Sequence, residues 1–212
     1  MTPSSDTRER IVLAARHLFC RRGYSAVGTQ DLCERAEINK GSLYYFFPSK
    51  LDIALAALQH FGRTAGSCFA TIIAEQPTVT DRIRGLFQLE RDEAMEQQAE
   101  SGHVHGCLLA NLSQELTGSV IEIQLCVESI YADWAAILAK IFAGDKNAKA
   151  LPPERQLEFA NVVLSYMNGA ILMAKVKNDP QQIVTLGEQF LPYFVKSERT
   201  KKKRTKANVY AQ

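Results

Sequence analysis

The chain has 212 residues, 46% of them hydrophobic, enough for one large domain or a small one plus a medium one with a real core. No run approaches the roughly 18 uninterrupted apolar residues of a membrane span, and MTPSSDTRER lacks the apolar stretch of a signal peptide, so a cytoplasmic protein with no membrane role is expected. The net charge of +2 hides a split: residues 1–63 carry +3, residues 64–195 carry −7 and residues 196–212 carry +6, so a polyanion suits the ends and not the body.

Residues 1–5 have no pattern. Asp6 is placed to cap a first helix, in which Ile11, Ala14, Ala15, Leu18 and Phe19 follow helical spacing. Arg8, Arg10, Arg16, Arg21 and Arg22 avoid that apolar set, as a solvated face or as phosphate contacts. Gly23 ends the helix. Thr29 to Ala36 forms a short second helix, with Leu32 and Ala36 on one face. Glu37-Ile38-Asn39 is too short to be anything but a turn, and Asn39 is a good N-cap for the helix opening Lys40-Gly41-Ser42. Two short helices joined by such a turn are the helix-turn-helix signature, whose second helix enters the DNA major groove. A cation, a residue without a side chain and a hydroxyl suit close approach to a phosphate backbone. Tyr44 and Tyr45 add hydroxyls that can donate to phosphate.

Pro48 blocks continuation of that helix, and Ser49 to Asp52 is a capping-box pattern. A long helix follows to about Glu75, carrying Leu51, Leu55, Leu58, Phe61, Ala65 and Phe69. It is a natural lever between the two halves of the chain, and Lys50 in its first turn is placed for a phosphate. Thr80 to about Ala99 predicts a polar-rich helix burying Ile83, Leu86, Phe87, Leu89 and Met95. His60 is a lone histidine with no assigned role. His103 and His105 face two ways and have no third ligand nearby, so no metal is implied. Gly106-Cys107-Leu108 opens the next helix, which carries Asn111. Val120, Ile123, Val127, Ile130, Trp134, Ile137 and Ile141 mark the one after. Trp134, the only tryptophan, reads as core or as pocket lining.

Pro152 to Lys177 predicts a helix with two apolar stripes. Leu157, Ala160, Leu164, Met167, Ile171 and Ala174 form one; Phe159, Val163, Tyr166, Ala170 and Met173 form the other. A helix this apolar buries more than one side, one against the core and one against a second subunit. A last helix bears Ile183, Leu186, Phe190, Leu191 and Phe194. The tail beyond residue 196 is basic, without apolar periodicity, and is expected to be disordered.

Gly23-Tyr24, Thr29, Leu32, Ala36, Gly41-Ser42-Leu43-Tyr44-Tyr45-Phe46 and Ser49-Lys50 resemble the N-terminal DNA-binding domain of the TetR family of transcriptional regulators, over roughly Asp6 to Phe61. One departure is Glu37, where the family pattern usually has glycine; it bears on the backbone angles of the turn. The resemblance implies an all-α fold with a three-helix DNA-binding domain at about 6–66 and a larger helical effector-binding and dimerisation domain at 67–196, which leaves the basic tail at 197–212 outside both. It implies Thr29, Lys40, Gly41, Ser42, Tyr44, Tyr45 and Lys50 as DNA-binding residues. It also implies a homodimer through the last two long helices, about 154–177 and 180–195, on a palindromic operator.

The middle of the chain carries no Gly-rich phosphate loop, no nucleophile elbow and no telling histidine–carboxylate pair, so no cofactor and no enzyme activity are implied. Five cysteines, Cys20, Cys33, Cys68, Cys107 and Cys126, with no CxxC pair, read as reduced thiols. Cys107, near a helix start, is placed for a thiolate. Lys175, in an apolar setting, is a candidate charge partner. The Gly-Cys-Leu start resembles a TetR subgroup that includes repressors of enzymes handling reactive electrophiles. The expected sensor set is thus Cys107, Asn111, Trp134 and Lys175, against the alternative of a buried inert cysteine and a snorkelling lysine. The leading expectation is a repressor released from its operator by a small-molecule effector or by modification of Cys107. A DNA-binding activator or structural factor without an effector, and an all-helical enzyme, are the competing classes.

Overall fold

The computed structural model describes residues 5–144 and 151–192. Every regular element among them is helical: α1 (Ser5–Arg22), α2 (Thr29–Ala36), α3 (Lys40–Phe46), α4 (Lys50–Glu75), α5 (Val79–Ser101), α6 (Leu108–Leu116), α7 (Ile121–Leu138), a 3-10 turn (Ala139–Phe142), α8 (Pro153–Lys177) and α9 (181–192). The expected basic tail and the last residues of the dimer segment lie outside the described residues.

Local chemistry sets the first four helices. α1 already begins at Ser5, so Asp6 sits inside its first turn, facing Arg10 at 3.6 Å, rather than capping it. Gly23 ends α1 at φ 78°, a left-handed angle that glycine adopts without strain. Asn39 caps α3: its Oδ1 accepts from the Ser42 N–H at 2.8 Å. The Ser49–Asp52 box opens α4, with the Asp52 N–H donating to Ser49 Oγ at 3.1 Å and the Ser49 N–H donating to Asp52 Oδ2 at 3.0 Å. Glu37 takes a left-handed conformation, φ 53° and ψ 50°, which explains a pattern that prefers glycine there.

α1, α2, α3 and the start of α4 share a core of Ile11, Phe19, Leu32, Leu43 and Leu58. Further along, α4 packs closely on α7. A Cβ at Gly62 would lie 2.9 Å from the Ile130 side chain, and the Trp134 indole N–H donates to the Gly62 carbonyl at 2.9 Å. The buried Arg82 ties the end of α4 to the 3-10 turn, donating to the carbonyls of Gln76, Ile141 and Ala143 at 2.8, 2.6 and 2.7 Å. A buried guanidinium is tolerable because carbonyls take up its N–H groups.

Two expectations about helix faces need correction. On α5, Ile83, Leu86 and Phe87 are buried and Leu89 partly so, but Met95 is 51% exposed. It follows Ala94, the buried member of the stripe, by one residue and so points about 100° away. On α8 both apolar stripes turn mostly inward within one subunit, with Leu157 of the first and Met173 of the second left exposed. Ala160, Leu164, Met167, Ile171 and Ala174 are buried, and so are Val163 and Ala170. Leu157 and Met173 join Val162, Leu172 and Val176 in an exposed apolar face, with Gly169 opening onto free space. α8 is also long and apolar enough, by length and composition alone, to cross a membrane; its buried stripes pack it as a core helix.

Candidate DNA-reading surface and effector cleft

α3 is anchored by buried Leu43 and by Phe47 just beyond its end, leaving Lys40, Gly41, Tyr44 and Tyr45 outward. Tyr44 is 50% and Tyr45 70% exposed. Tyr45 is braced edge-on by Phe46 at 5.0 Å between ring centroids. Ser42 and, on α2, Thr29 are half-buried at the same end. Lys40 makes no hydrogen bond or ion pair among the described residues. The surface therefore offers a cation, an open backbone and two phenols on one short helix, a set suited to phosphate and groove contacts.

Lys50 sits elsewhere. Its ammonium donates to the carbonyls of Tyr24 and Val27, each at 3.0 Å, and lies 4.0 Å from the Tyr24 ring centroid. Its charge holds the α1–α2 loop from inside, where the sequence suggested a phosphate contact. Most of the arginines read as free or phosphate-facing are engaged too. Arg8 lies over Phe47, Arg16 pairs with Glu93 at 2.8 Å, and Arg22 pairs with Asp31 at 2.9 Å.

The same loop is held from the other side by α6. Glu115 accepts from the backbone N–H groups of Tyr24 and Ser25, both at 2.7 Å. Burial raises its pKa, but these bonds and the Lys50 charge outweigh that and hold the carboxyl below its ordinary value. At the other end of α6, Asn111 Nδ2 donates to the carbonyls of Cys20 and His105, each at 3.0 Å, and its Oδ1 accepts from Lys175 at 3.0 Å. α6 is thus clamped to the DNA-reading half at both ends.

Between these clamps lies a cleft of about 360 Å³, walled by α1, Arg35 of α2, α4, α5 and the 105–108 segment. Cys107 lines it, together with Cys20 and Cys68. The expected thiolate at Cys107 is not supported. Burial, with the nearby Glu90, pushes the thiol up to about 12, although the N–H groups of Leu109 and Ala110 pull the other way as a helix start should. Lys175 is exposed, and its ammonium is taken by Asn111, so it does not act as the partner of Cys107. Cys20 is likewise protonated: its thiol donates to the Gly106 carbonyl at 3.3 Å, and burial pushes it to about 11. Trp134 is a core residue that meets Phe61, Phe69 and Tyr131 edge-on; it borders a separate groove between α4 and α7, not this cleft.

The sequence reading missed two residues here. Glu90 continues the inward face of α5 from Leu86 and Phe87 and lines the cleft; burial and then Glu93 push its carboxyl up to about 7. A carboxylate at the helical spacing of a buried stripe was the available signal. Gln97 fixes the segment carrying Cys107, accepting from the His105 and Gly106 N–H groups at 2.8 and 3.1 Å and donating to the Gly106 carbonyl at 3.0 Å. Among the described residues no group of three His, Cys, Asp or Glu side chains could hold a metal.

Residues 11–57 match the family of bacterial regulatory proteins, tetR family, and residues 83–189 match the C-terminal domain of LmrA/YxaF-like transcriptional regulators. The chain is 24% identical over 195 residues to the transcriptional regulator AcuR of Cereibacter sphaeroides, covering 91% of this chain and 87% of that protein. It is 25% identical over 173 residues to the HTH-type transcriptional repressor NemR of Escherichia coli, covering 81% and 85%. The reduced form of Escherichia coli NemR superposes with a TM-score of 0.72 at 22% identity, over 87% of this chain and 95% of that one. A regulatory protein TetR from Rhodobacter sphaeroides gives 0.74 at 23%, over 88% and 97%. An N-terminal helix-turn-helix and an LmrA/YxaF-like helical domain in one chain make this protein a member of the TetR family of DNA-binding transcriptional regulators, which are not enzymes.

Proposed function

We propose that the protein is a cytoplasmic homodimeric repressor that a small molecule, bound in the cleft between α1 and α5, releases from a palindromic operator. The observation that carries this reading is the make-up of the cleft wall. Arg16, His17 and Cys20 come from the DNA-reading half, and Leu89, Glu90 and Glu93 from the C-terminal half. A ligand that fills the cleft presses on both halves, and the Asn111 and Glu115 clamps pass the displacement of α6 to α1 and the α1–α2 loop. A coupling of about 1–3 kcal/mol changes operator affinity roughly 5–150-fold.

In this reading Thr29, Lys40, Gly41, Ser42, Tyr44 and Tyr45 meet the DNA, while Lys50 shapes the loop behind them. The DNA-reading unit is residues 6–66 and the effector and dimerisation unit 67–196. The exposed face of α8, with α9, forms the two-fold interface, which sets two recognition helices about one duplex turn apart. The repressor named among the relatives supports the sign of regulation.

Fragments selected from genomic DNA by the full chain should share a palindromic site, and small molecules that bind the cleft should lower affinity for it. A non-symmetric consensus, or cleft ligands that leave operator affinity unchanged, would refute the reading. Modification of Cys107 is a second route to release, since the thiol lines the same cleft. Its protonated state makes it slow, and Cys107→Ser should leave release by non-covalent ligands intact.

A further inference from the structure

Building on the cleft as the effector site, we infer that its ligand is an organic monocation with an apolar body, and that Glu90 is the counter-ion that selects it. The charges around the cleft are unequally matched. Arg16 is committed to Glu93 at 2.8 Å and lies over the Phe61 ring. Arg21 and Arg35 both lean on Glu100, at 3.9 and 3.5 Å. Those three guanidiniums stand against four carboxyls, with Glu90 and Glu96 left over. Glu90 has no hydrogen bond or ion pair among the described residues, and it faces the cleft rather than bulk water on α5's outer side.

Lys175 of α8, whose charge reaches Cys20 and His105, is held by Asn111 outside the cleft wall, and the remaining groups near Glu90 supply no cation. His17 of α1 and His105 of the loop are both held below the ordinary histidine value, by burial first and by neighbouring arginines next, so they are neutral at pH 7. Cys20 and Cys107 keep their protons, and so does Tyr131 on α7, whose phenol feels the Glu90 charge. Cys68 of α4 is a thiol on the wall. An anionic ligand would meet surplus carboxylate. A neutral one would leave Glu90 without a partner. A cation supplies what the site lacks, and Leu13, Phe61, Ala65, Leu89 and Leu108 provide apolar and aromatic surface for its body.

The test uses the full chain and calorimetric titration with benzyltrimethylammonium, whose charge does not titrate, beside its uncharged isostere neopentylbenzene. The cation should bind once per subunit and about tenfold more tightly at pH 8 than at pH 6, because only the ionised carboxylate of a group titrating near 7 pairs with it. Glu90→Gln, with its helicity and operator binding checked, should lose about tenfold at pH 8 and lose the pH dependence, which separates Glu90 from the two histidines. Equal binding of the isostere, unchanged affinity in Glu90→Gln, or affinity that falls as pH rises would overturn the inference. Glu90-dependent cation binding that leaves the operator occupied upholds it and removes the effector reading instead.

Discussion

Glu115 at the end of α6 and Tyr24 in the α1–α2 loop are joined by a 2.7 Å hydrogen bond from the Tyr24 N–H, and the same carboxylate takes the Ser25 N–H at 2.7 Å. The pair fits tightly: a Cβ on neighbouring Gly23 would sit 2.8 Å from Glu115 Oε2. Hydrogen bonds to a charged acceptor contribute about 1.5–3 kcal/mol each when shielded, and less for an exposed carboxylate such as this. Glu115→Ala should therefore weaken operator binding by about fivefold, roughly 1 kcal/mol, measured by fluorescence anisotropy. The folded-state pKa is depressed, so the contribution is present above the ordinary value of 4.5 and is lost as pH falls through the folded value. Stability of wild type and variant should converge in acid. A gap that persists at pH 3 would show that the carboxylate is not the source.

Lys50 and Lys40 should separate by salt dependence. Each phosphate contact removed lowers the slope of log affinity against log salt by about 0.9. Lys40→Ala, on the open face of α3, should lower that slope by about one contact and leave thermal stability unchanged. Lys50→Met should keep the slope and lose about 1–2 kcal/mol of stability, because the carbonyls of Tyr24 and Val27 lose their donor. A slope change in Lys50→Met would restore it as a phosphate contact.

Glu37 holds a left-handed backbone at φ 53°. For an L-residue this conformation costs roughly 1–2 kcal/mol, and glycine adopts it freely but loses more chain entropy on folding, about 0.5–1 kcal/mol. Glu37→Gly should raise stability by about 0.5 kcal/mol in urea titration and leave operator affinity unchanged. A loss of stability would mean that the side chain contributes more than the backbone costs.

What was legible in the sequence follows from how local the signal is. Asn39, Ser49 and Gly23 act within four residues, so the end of α1 and the starts of α3 and α4 could be read from caps alone. The competing forces at Cys107 could not. A helix start favours the thiolate, but its burial is created by α1, α4 and α5 together, and burial dominates. Lys50 had the same ambiguity, since nothing local says that the Tyr24 and Val27 carbonyls turn toward it. On α8 the periodicity marked both apolar stripes, yet which residues stayed exposed depended on where α5 and α7 lay.

Glu90 gives a stability signature of its own. Its folded pKa, about 7, is raised above the ordinary 4.5, so its contribution is fully present below pH 4.5 and is lost as pH rises through 7. Glu90→Gln should therefore melt higher than wild type at pH 8 and close to it at pH 5, by an amount on the order of 2 kcal/mol after allowing for the part of the carboxyl that stays wet. Equal melting differences at the two pH values would show that the carboxyl titrates normally.

The exposed face of α8 is where self-association should be broken. Met173 and Val176 are 41% and 71% exposed, and Gly169 between Ser165 and Met173 leaves room for a partner's backbone to approach. A carboxylate placed there would be desolvated without a counter-ion in a packed interface. Met173→Glu or Val176→Glu should shift sedimentation from dimer toward monomer. Operator affinity should then fall at least about 100-fold, because one chain reads only one half-site and the second contact ceases to be intramolecular. Leu125→Glu, at a 57% exposed position on α7, is the matched control and should leave both measurements unchanged. If the control dissociates the dimer and the α8 variants do not, the interface belongs to α7.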